Sequence, residues 1–124
     1  MALYTELHIY KHGCELLSLA VKVQTQMPRM FKRSLGEKIH EKCMDMLEAM
    51  AMANAARDGA RVEQLDTLLQ NLRATTALLR VGHEQRLIAP KLWAESVELL
   101  DSIGAQAGGW RNHTLSHLSA APAA

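Results

Sequence analysis

Apolar residues recur every three or four positions in four separate stretches of the chain. This spacing lines the apolar side chains along one face of an α-helix, because the helix turns once every 3.6 residues. The four predicted faces are Leu3, Leu7, Tyr10, Cys14, Leu17 and Val21; Leu35, Ile39, Cys43, Met46, Met50 and Ala53; Val62, Leu65, Leu69, Leu72, Thr76 and Leu79; and Trp93, Val97, Leu100, Ile103 and Ala107. The pattern therefore predicts four amphipathic helices.

The first break in this pattern surrounds Pro28. A proline disfavours helical backbone in the residue before it, so the first helix is predicted to end near Gln26 and to lead into a basic connection. Ser34 has Glu37 three residues later. This is the spacing of a capping box, which predicts that the second helix starts at Ser34.

Glycine and proline mark the remaining boundaries. The pair Asp58-Gly59 predicts a turn after the second helix, and Pro90 suits the first turn of the fourth helix. The pair Gly108-Gly109 is predicted to end the fourth helix.

These elements predict an all-α fold. Short connections favour antiparallel neighbours, so we expect an up-down-up-down four-helix bundle in a single domain formed by residues 1–112. The Ser- and Ala-rich residues 113–124 are predicted to be a disordered C-terminal tail. Composition supports the fold class, because the apolar set is dominated by the helix formers Ala, Leu and Met and aromatic residues make up only 4%.

Charge and cysteine content limit the possible partners and compartment. The chain carries 14 Lys and Arg against 13 Asp and Glu, so any charged binding surface depends on how these residues are distributed. Cys14 and Cys43 lie on predicted apolar faces and are expected to be reduced core residues. No apolar window suits a transmembrane span or a signal peptide. We therefore expect a cytoplasmic protein with no membrane partner.

Histidine spacings allow three metal-site hypotheses. They are Glu37 with His40, His8 with His12, and His113 with His117. A dinuclear carboxylate site needs a second Glu-x-x-His motif and two further glutamates, and a zinc site usually has four ligands, so solvated surface residues are the competing interpretation. Nucleophile motifs and phosphate-binding loops are absent. We predict no catalytic residues, no metal site and no cofactor.

Basic residues are the remaining candidates for a nucleic-acid or partner-binding surface. They are Arg29, Lys32, Arg33, Lys38, Arg73, Arg80, Arg86 and Arg111. Arg73 and Arg80 are seven residues apart and share a helix face. The alternative is a solvated face whose charge is balanced by nearby acids, such as Asp66 and Glu84.

Several of these positions fall within a pattern that resembles one family, the accessory variability determinant (Avd) proteins of bacterial diversity-generating retroelements. The resemblance covers roughly residues 3 to 111. The residues that carry it are Leu65, Leu68, Leu69, Leu72-Arg73, Leu78-Leu79-Arg80-Val81, Ile103-Gly104, Gly108-Gly109-Trp110, Pro28-Arg29, Arg33, Leu35-Gly36 and Ile39.

The resemblance implies a cytosolic, non-catalytic protein that assembles as a homopentamer and binds the retroelement reverse transcriptase and its RNA or DNA. The matching arginines are Arg29, Arg33, Arg73, Arg80 and Arg111. A related group, the four-helix proteins encoded in intervening sequences of bacterial ribosomal RNA genes, shares much of the pattern. A stand-alone interaction protein without a reverse transcriptase partner is therefore the alternative.

The residues themselves indicate an oligomer only through apolar side chains beyond a single stripe. These are Leu16, Ala20 and Val23 in the first helix and Met44 and Leu47 in the second.

Overall fold

A computed structural model describes residues 3–120 of the chain. It contains a 3₁₀ turn at Tyr4–Glu6, helix α1 at His8–Gln26, a one-turn helix α2 at Arg29–Phe31, a π-helical segment at Lys32–Gly36, helix α3 at Glu37–Ala55, helix α4 at Asp58–Glu84 and helix α5 at Pro90–Ala120. Residues 3–120 contain no β-strand. The prediction of four amphipathic helices is confirmed by α1, α3, α4 and α5.

The four long helices surround one apolar core. Helix α1 packs against α3 and α5, and α4 packs against the same two helices. The largest fully buried side chains come from all four helices: Leu16, Val23, Ile39, Cys43, Met46, Met50, Leu65, Leu68, Thr75, Leu79, Ser96 and Ile103. Each helix therefore contributes one face to a shared four-helix core.

The predicted core face of α1 is wrong. Leu3 and Val21 are 65% and 47% exposed and Cys14 is also exposed, whereas Leu16 and Val23 are buried. Helix α1 carries two apolar stripes, and the buried one passes through a glycine that adds nothing to a hydrophobic pattern.

That glycine is Gly13, which allows α1 and α3 to approach closely. A Cβ atom at Gly13 would lie 2.8 Å from Leu47 Cδ2 and 3.0 Å from Met50 Cε. A larger residue would displace the ends of these two side chains, so Gly13 lets the buried stripe of α1 pack closely against α3.

The predicted start of the second helix at Ser34 is also wrong. The helical backbone already begins after Pro28, whose carbonyl accepts a hydrogen bond from the Phe31 N–H at 2.8 Å. Ser34 lies inside the π-helical segment, and its hydroxyl is 3.4 Å from the Met30 carbonyl oxygen. A proline is tolerated at the start of a helix, because the N–H that it lacks would have no hydrogen-bond acceptor there. The basic connection is therefore helical.

Helix α5 does not end at Gly108-Gly109 as predicted. It continues to Ala120, and the buried Thr114 donates a hydrogen bond to the Trp110 carbonyl at 2.8 Å. Glycine inside a helix costs only about 1 kcal/mol, which burial of a side chain such as Thr114 helps to offset. Residues 113–120 of the predicted tail are therefore helical, and residues 121–124 lie outside the described residues.

The other predicted boundaries are confirmed to within a few residues. Helix α3 ends at Ala55, α4 begins at Asp58, and Pro90 is the first residue of α5. None of the helices in residues 3–120 combines the length and hydropathy required to cross a membrane.

Candidate nucleic-acid interface

Two predicted site residues, Arg73 and Arg80, project from α4 into solvent. Both are exposed, and their separation of seven residues corresponds to about 10 Å along the helix axis. Within residues 3–120 neither arginine forms an ion pair, since Asp66 instead binds Arg111 and Glu84 binds neither of them. Local carboxylates therefore leave these two guanidinium groups free to bind another anion.

Arg111 and Lys38 are in a different situation from the α4 arginines. The Arg111 Nε donates to Asp66 Oδ1 at 2.6 Å, which joins α5 to α4. The Lys38 Nζ lies 3.5 Å from Glu41 Oε2 on the exposed side of α3. Surface pairs of this kind contribute little stability, but they reduce the positive charge available for a partner.

The remaining basic residues of the connection follow Pro28. Arg29 and Arg33 are exposed and four residues apart on helical backbone, so they lie on the same side. Lys32 is half-buried, and its carbonyl oxygen accepts a hydrogen bond from Gln24 Nε2 at 2.9 Å. This bond fixes the basic segment to the end of α1.

The basic segment lies at the same end of the bundle as the last turn of α4. A Cβ atom at Gly82 would be 3.5 Å from Leu35 Cδ2 and 2.6 Å from Ile88 Cδ1. Gln26, at the end of α1, lines the same cavity as Arg86. The residues that flank the basic segment at positions 29–33 therefore lie close to the end of α4, although they are about 50–60 positions apart in the sequence.

Arg86, two residues after the end of α4, has an unusual backbone conformation. Its φ angle is 60°, in the left-handed region that glycine normally occupies. The Arg86 N–H donates to the His83 carbonyl at 3.0 Å, and the Leu87 N–H donates to the Gly82 carbonyl at 2.8 Å. These bonds satisfy two of the last carbonyl groups of the helix.

A stacked aromatic pair lies beside Arg86. The rings of His83 in α4 and Trp93 in α5 are 4.6 Å apart between centroids and only 7° from parallel. Trp93 was predicted only as a core residue, and nothing was predicted for His83. The sequence signal that could have identified His83 is its position three residues after Arg80, in a chain with few aromatic residues.

A sequence model of the bAvd-like family matches residues 8–114. The chain belongs to the bAvd-like family. This confirms the resemblance to Avd proteins that was identified from the sequence. No curated protein and no solved structure matches the chain.

Histidines of the bAvd-like chain occupy separate places. His113 Nε2 and His117 Nε2 are 3.0 Å apart on α5, and His12 Nδ1 is hydrogen-bonded to Gln106 Nε2 at 2.8 Å. Glu37 is exposed and His40 half-buried on α3. No group of three or more potential metal ligands occurs in the part of the chain that the structure describes.

The two cysteines of the bAvd-like chain differ in their surroundings. Cys43 is buried in the core, and this burial raises the pKa of its thiol to about 12. Cys14 is exposed on α1, so the prediction that both are core residues is wrong for Cys14. Cys14 belongs to the apolar stripe of α1 that was predicted to be buried and is not. Cys14 is therefore the accessible thiol of the pair.

Proposed function

We propose that this chain is a non-catalytic accessory protein of a diversity-generating retroelement, acting in the cytoplasm. It binds the retroelement reverse transcriptase together with RNA or DNA and thereby supports mutagenic cDNA synthesis, while all catalysis belongs to the polymerase. The observation that carries the proposal is the pair Arg73 and Arg80, exposed and without ion-pair partners on α4 of a bAvd-like chain.

Assembly is the second part of the proposal: an up-down-up-down antiparallel, single-domain protomer that forms a homopentamer. A net charge of +1 is weak for one protomer, but five copies of Arg73 and Arg80 would present ten guanidinium groups. A second, partly exposed stripe of α1 supports this assembly: Cys14 and Val21 are exposed, and Tyr10 and Leu17 are half-buried against the core.

This exposed stripe replaces part of the surface that the sequence predicted for assembly. Leu16, Ala20 and Val23 are buried in the core and are unavailable to a second copy. Met44 on α3 is 50% exposed and remains a candidate, and Leu47 is half-buried against the core.

Arginine suits both proposed partners. Its planar guanidinium group binds phosphates and carboxylates through two parallel hydrogen bonds. Phosphate binding releases counterions, so nucleic-acid affinity should fall steeply with salt and depend little on sequence.

The test is the double variant Arg73→Glu/Arg80→Glu. We expect unchanged helical content and oligomer size, with loss of nucleic-acid binding in low-salt gel shifts and of reverse transcriptase in pull-downs. The matched control is Lys11→Glu/Arg57→Glu, which reverses the same number of charges at exposed positions on α1 and before α4. Undiminished binding by the Arg73→Glu/Arg80→Glu variant would contradict the proposal.

The alternative is a stand-alone interaction protein of the ribosomal intervening-sequence type. The near balance of 14 basic and 13 acidic residues favours it, because such a chain has little general attraction for nucleic acid. If neither the polymerase nor nucleic acid binds the unmutated protein, this alternative is supported.

A further inference from the structure

Two surface cavities adjoin the His83–Trp93 stack, and each contains one of the rings and one arginine. Trp93 and Arg80 line a cavity of about 420 Å³ between α4 and α5. His83 and Arg86 line a cavity of about 510 Å³ between the end of α4 and Pro90. Both volumes fall within the ~300–1,000 Å³ range of small-molecule sites.

We propose that these two cavities bind unpaired nucleotides of single-stranded RNA or DNA. A base stacks on the aromatic ring, while the neighbouring guanidinium group binds the phosphate of the same strand. This inference rests on the proposed function and narrows its nucleic-acid ligand to strands whose bases are unstacked and accessible. A duplex offers phosphates but keeps its base faces covered.

The ring geometry supports a nucleotide rather than an acidic peptide. The two rings are nearly parallel at 7°, so a base can extend the stack in the manner of single-strand binding proteins. Asp101 lines the same cavity as Arg80. Its carboxylate can accept a hydrogen bond from the exocyclic amino group of a base.

The backbone at Arg86 is independent support. Any non-glycine residue is strained at a φ of 60°, and glycine would relieve the strain at this helix end. Strain of this kind clusters at functional sites, and of Asp58 and Arg86, the non-glycine residues with positive φ in residues 3–120, Arg86 is the one that shares a cavity with His83. Arg86 has a guanidinium group that can bind phosphate in this cavity, and glycine would not provide one.

Intrinsic fluorescence tests the inference, because Trp93 and Trp110 are the only tryptophans of the chain. In Trp110→Phe, all tryptophan emission comes from Trp93, and a short oligothymidine should quench it. In Trp93→Phe, the same oligonucleotide should leave the Trp110 emission unchanged. Quenching of both variants, or of neither, would overturn the inference.

Affinity measurements separate this inference from the proposed function. Trp93→Leu should weaken binding of a single-stranded oligonucleotide by about 5- to 150-fold, the equivalent of ~1–3 kcal/mol for one stacked base. Binding of a blunt duplex of equal length should change less than two-fold. Arg57→Ala, about 40 Å away at the other end of α4, is the control and should affect neither ligand.

Four outcomes would count against the inference. Equal binding of both ligands, with no effect of Trp93→Leu, would overturn it but leave the proposed function intact if Arg73→Glu/Arg80→Glu still abolishes binding. No binding of either ligand by the unmutated protein would overturn both. Loss of the polymerase alone in Trp93→Leu would assign the cavity to a peptide. If Trp93→Leu does not fold, failure of His83→Leu to weaken single-strand binding would overturn the inference.

Discussion

At Arg86, backbone conformation and side-chain chemistry favour different residues. The left-handed φ of 60° and the two capping hydrogen bonds favour glycine, whereas the neighbouring His83 ring and cavity suit a cationic side chain. Because the backbone at this position favours glycine and binding favours arginine, a substitution of Arg86 can separate effects on stability from effects on binding.

Replacing Arg86 by glycine should therefore stabilise the protein while weakening nucleic-acid binding. Removal of the left-handed strain should contribute about 1 kcal/mol, which raises the Tm by about 3–5 °C for a chain of this size. Arg86→Ala is the matched control, since it removes the guanidinium group but retains a Cβ atom: binding should weaken equally, with little change in Tm. A lower Tm for Arg86→Gly, measured by circular dichroism, would contradict the strain argument.

Single residues also show what the sequence could not reveal. The exposure of Arg73 and Arg80 follows from helical spacing, and both were predicted correctly as a shared face. The His83–Trp93 stack was missed because it depends on how α4 and α5 are packed, and the left-handed Arg86 was missed because its identity disfavours that conformation. Local sequence rules indicate the secondary structure that a residue favours, but not which residue of another helix it contacts.

The four helices could be predicted because their apolar periodicity is strong and the breaks at Pro28, Asp58 and Pro90 act through local sterics. The errors occurred where packing overrides propensity. Gly13 lies on the buried face of α1 without any hydrophobic signal, and the glycine pair in α5 is stabilised in a helix by burial further along the same helix. Glycines therefore caused two of the three errors in assigning helices.

Glycine substitutions in α4 and α5 should have opposite effects for this reason. A Cβ atom at Gly82 would lie 2.6 Å from Cδ1 of the buried Ile88, so overpacking in Gly82→Ala should cost about 1–3 kcal/mol and outweigh the gain of up to about 1 kcal/mol in helix propensity. Nothing lies within 4 Å of a Cβ at Gly108, so Gly108→Ala should stabilise α5 by up to about 1 kcal/mol.

Urea denaturation of the two alanine variants provides the measurement. The midpoint should fall for Gly82→Ala and rise for Gly108→Ala, with similar slopes if both still unfold in one step. A decrease for Gly108→Ala would show that this part of α5 is not helical in solution and would restore the predicted helix end.

At the scale of the whole molecule, α1 has a line of apolar side chains that the core does not fully cover. One stripe fills the core, and the second, formed by Tyr10, Cys14, Leu17 and Val21, remains partly or fully exposed. Exposed apolar side chains scattered singly are common, but the exposed Cys14 and Val21 form a strip with the half-buried Tyr10 and Leu17 at helical spacing, as expected for an interface. The strip also contains the accessible thiol of Cys14, which makes assembly measurable by chemistry.

The assembly prediction compares two valines of equal exposure. Val21 on the α1 strip and Val81 on α4 are both 47% exposed. Val21→Asp should convert the oligomer to monomers, because a carboxylate buried at a subunit contact has no partner there, whereas Val81→Asp should leave oligomer size unchanged in light scattering. If both variants are monomers, the α1 strip is not specifically the subunit contact. If the unmutated protein is a monomer, there is no subunit contact to disrupt.

Thiol reactivity supplies an independent measure of the same contact. In the oligomer Cys14 should be protected from a chromogenic disulfide reagent, and in Val21→Asp it should react at once, since the contact that covers it is lost. Cys43 should stay unreactive in both proteins at pH 8, because its pKa of about 12 leaves almost no thiolate and the core excludes the reagent. If one thiol per chain reacts in Val21→Asp and none reacts in the unmutated oligomer, the α1 strip lies at the subunit contact. Rapid reaction of Cys14 in an intact oligomer would exclude the strip and direct attention to Met44 on α3.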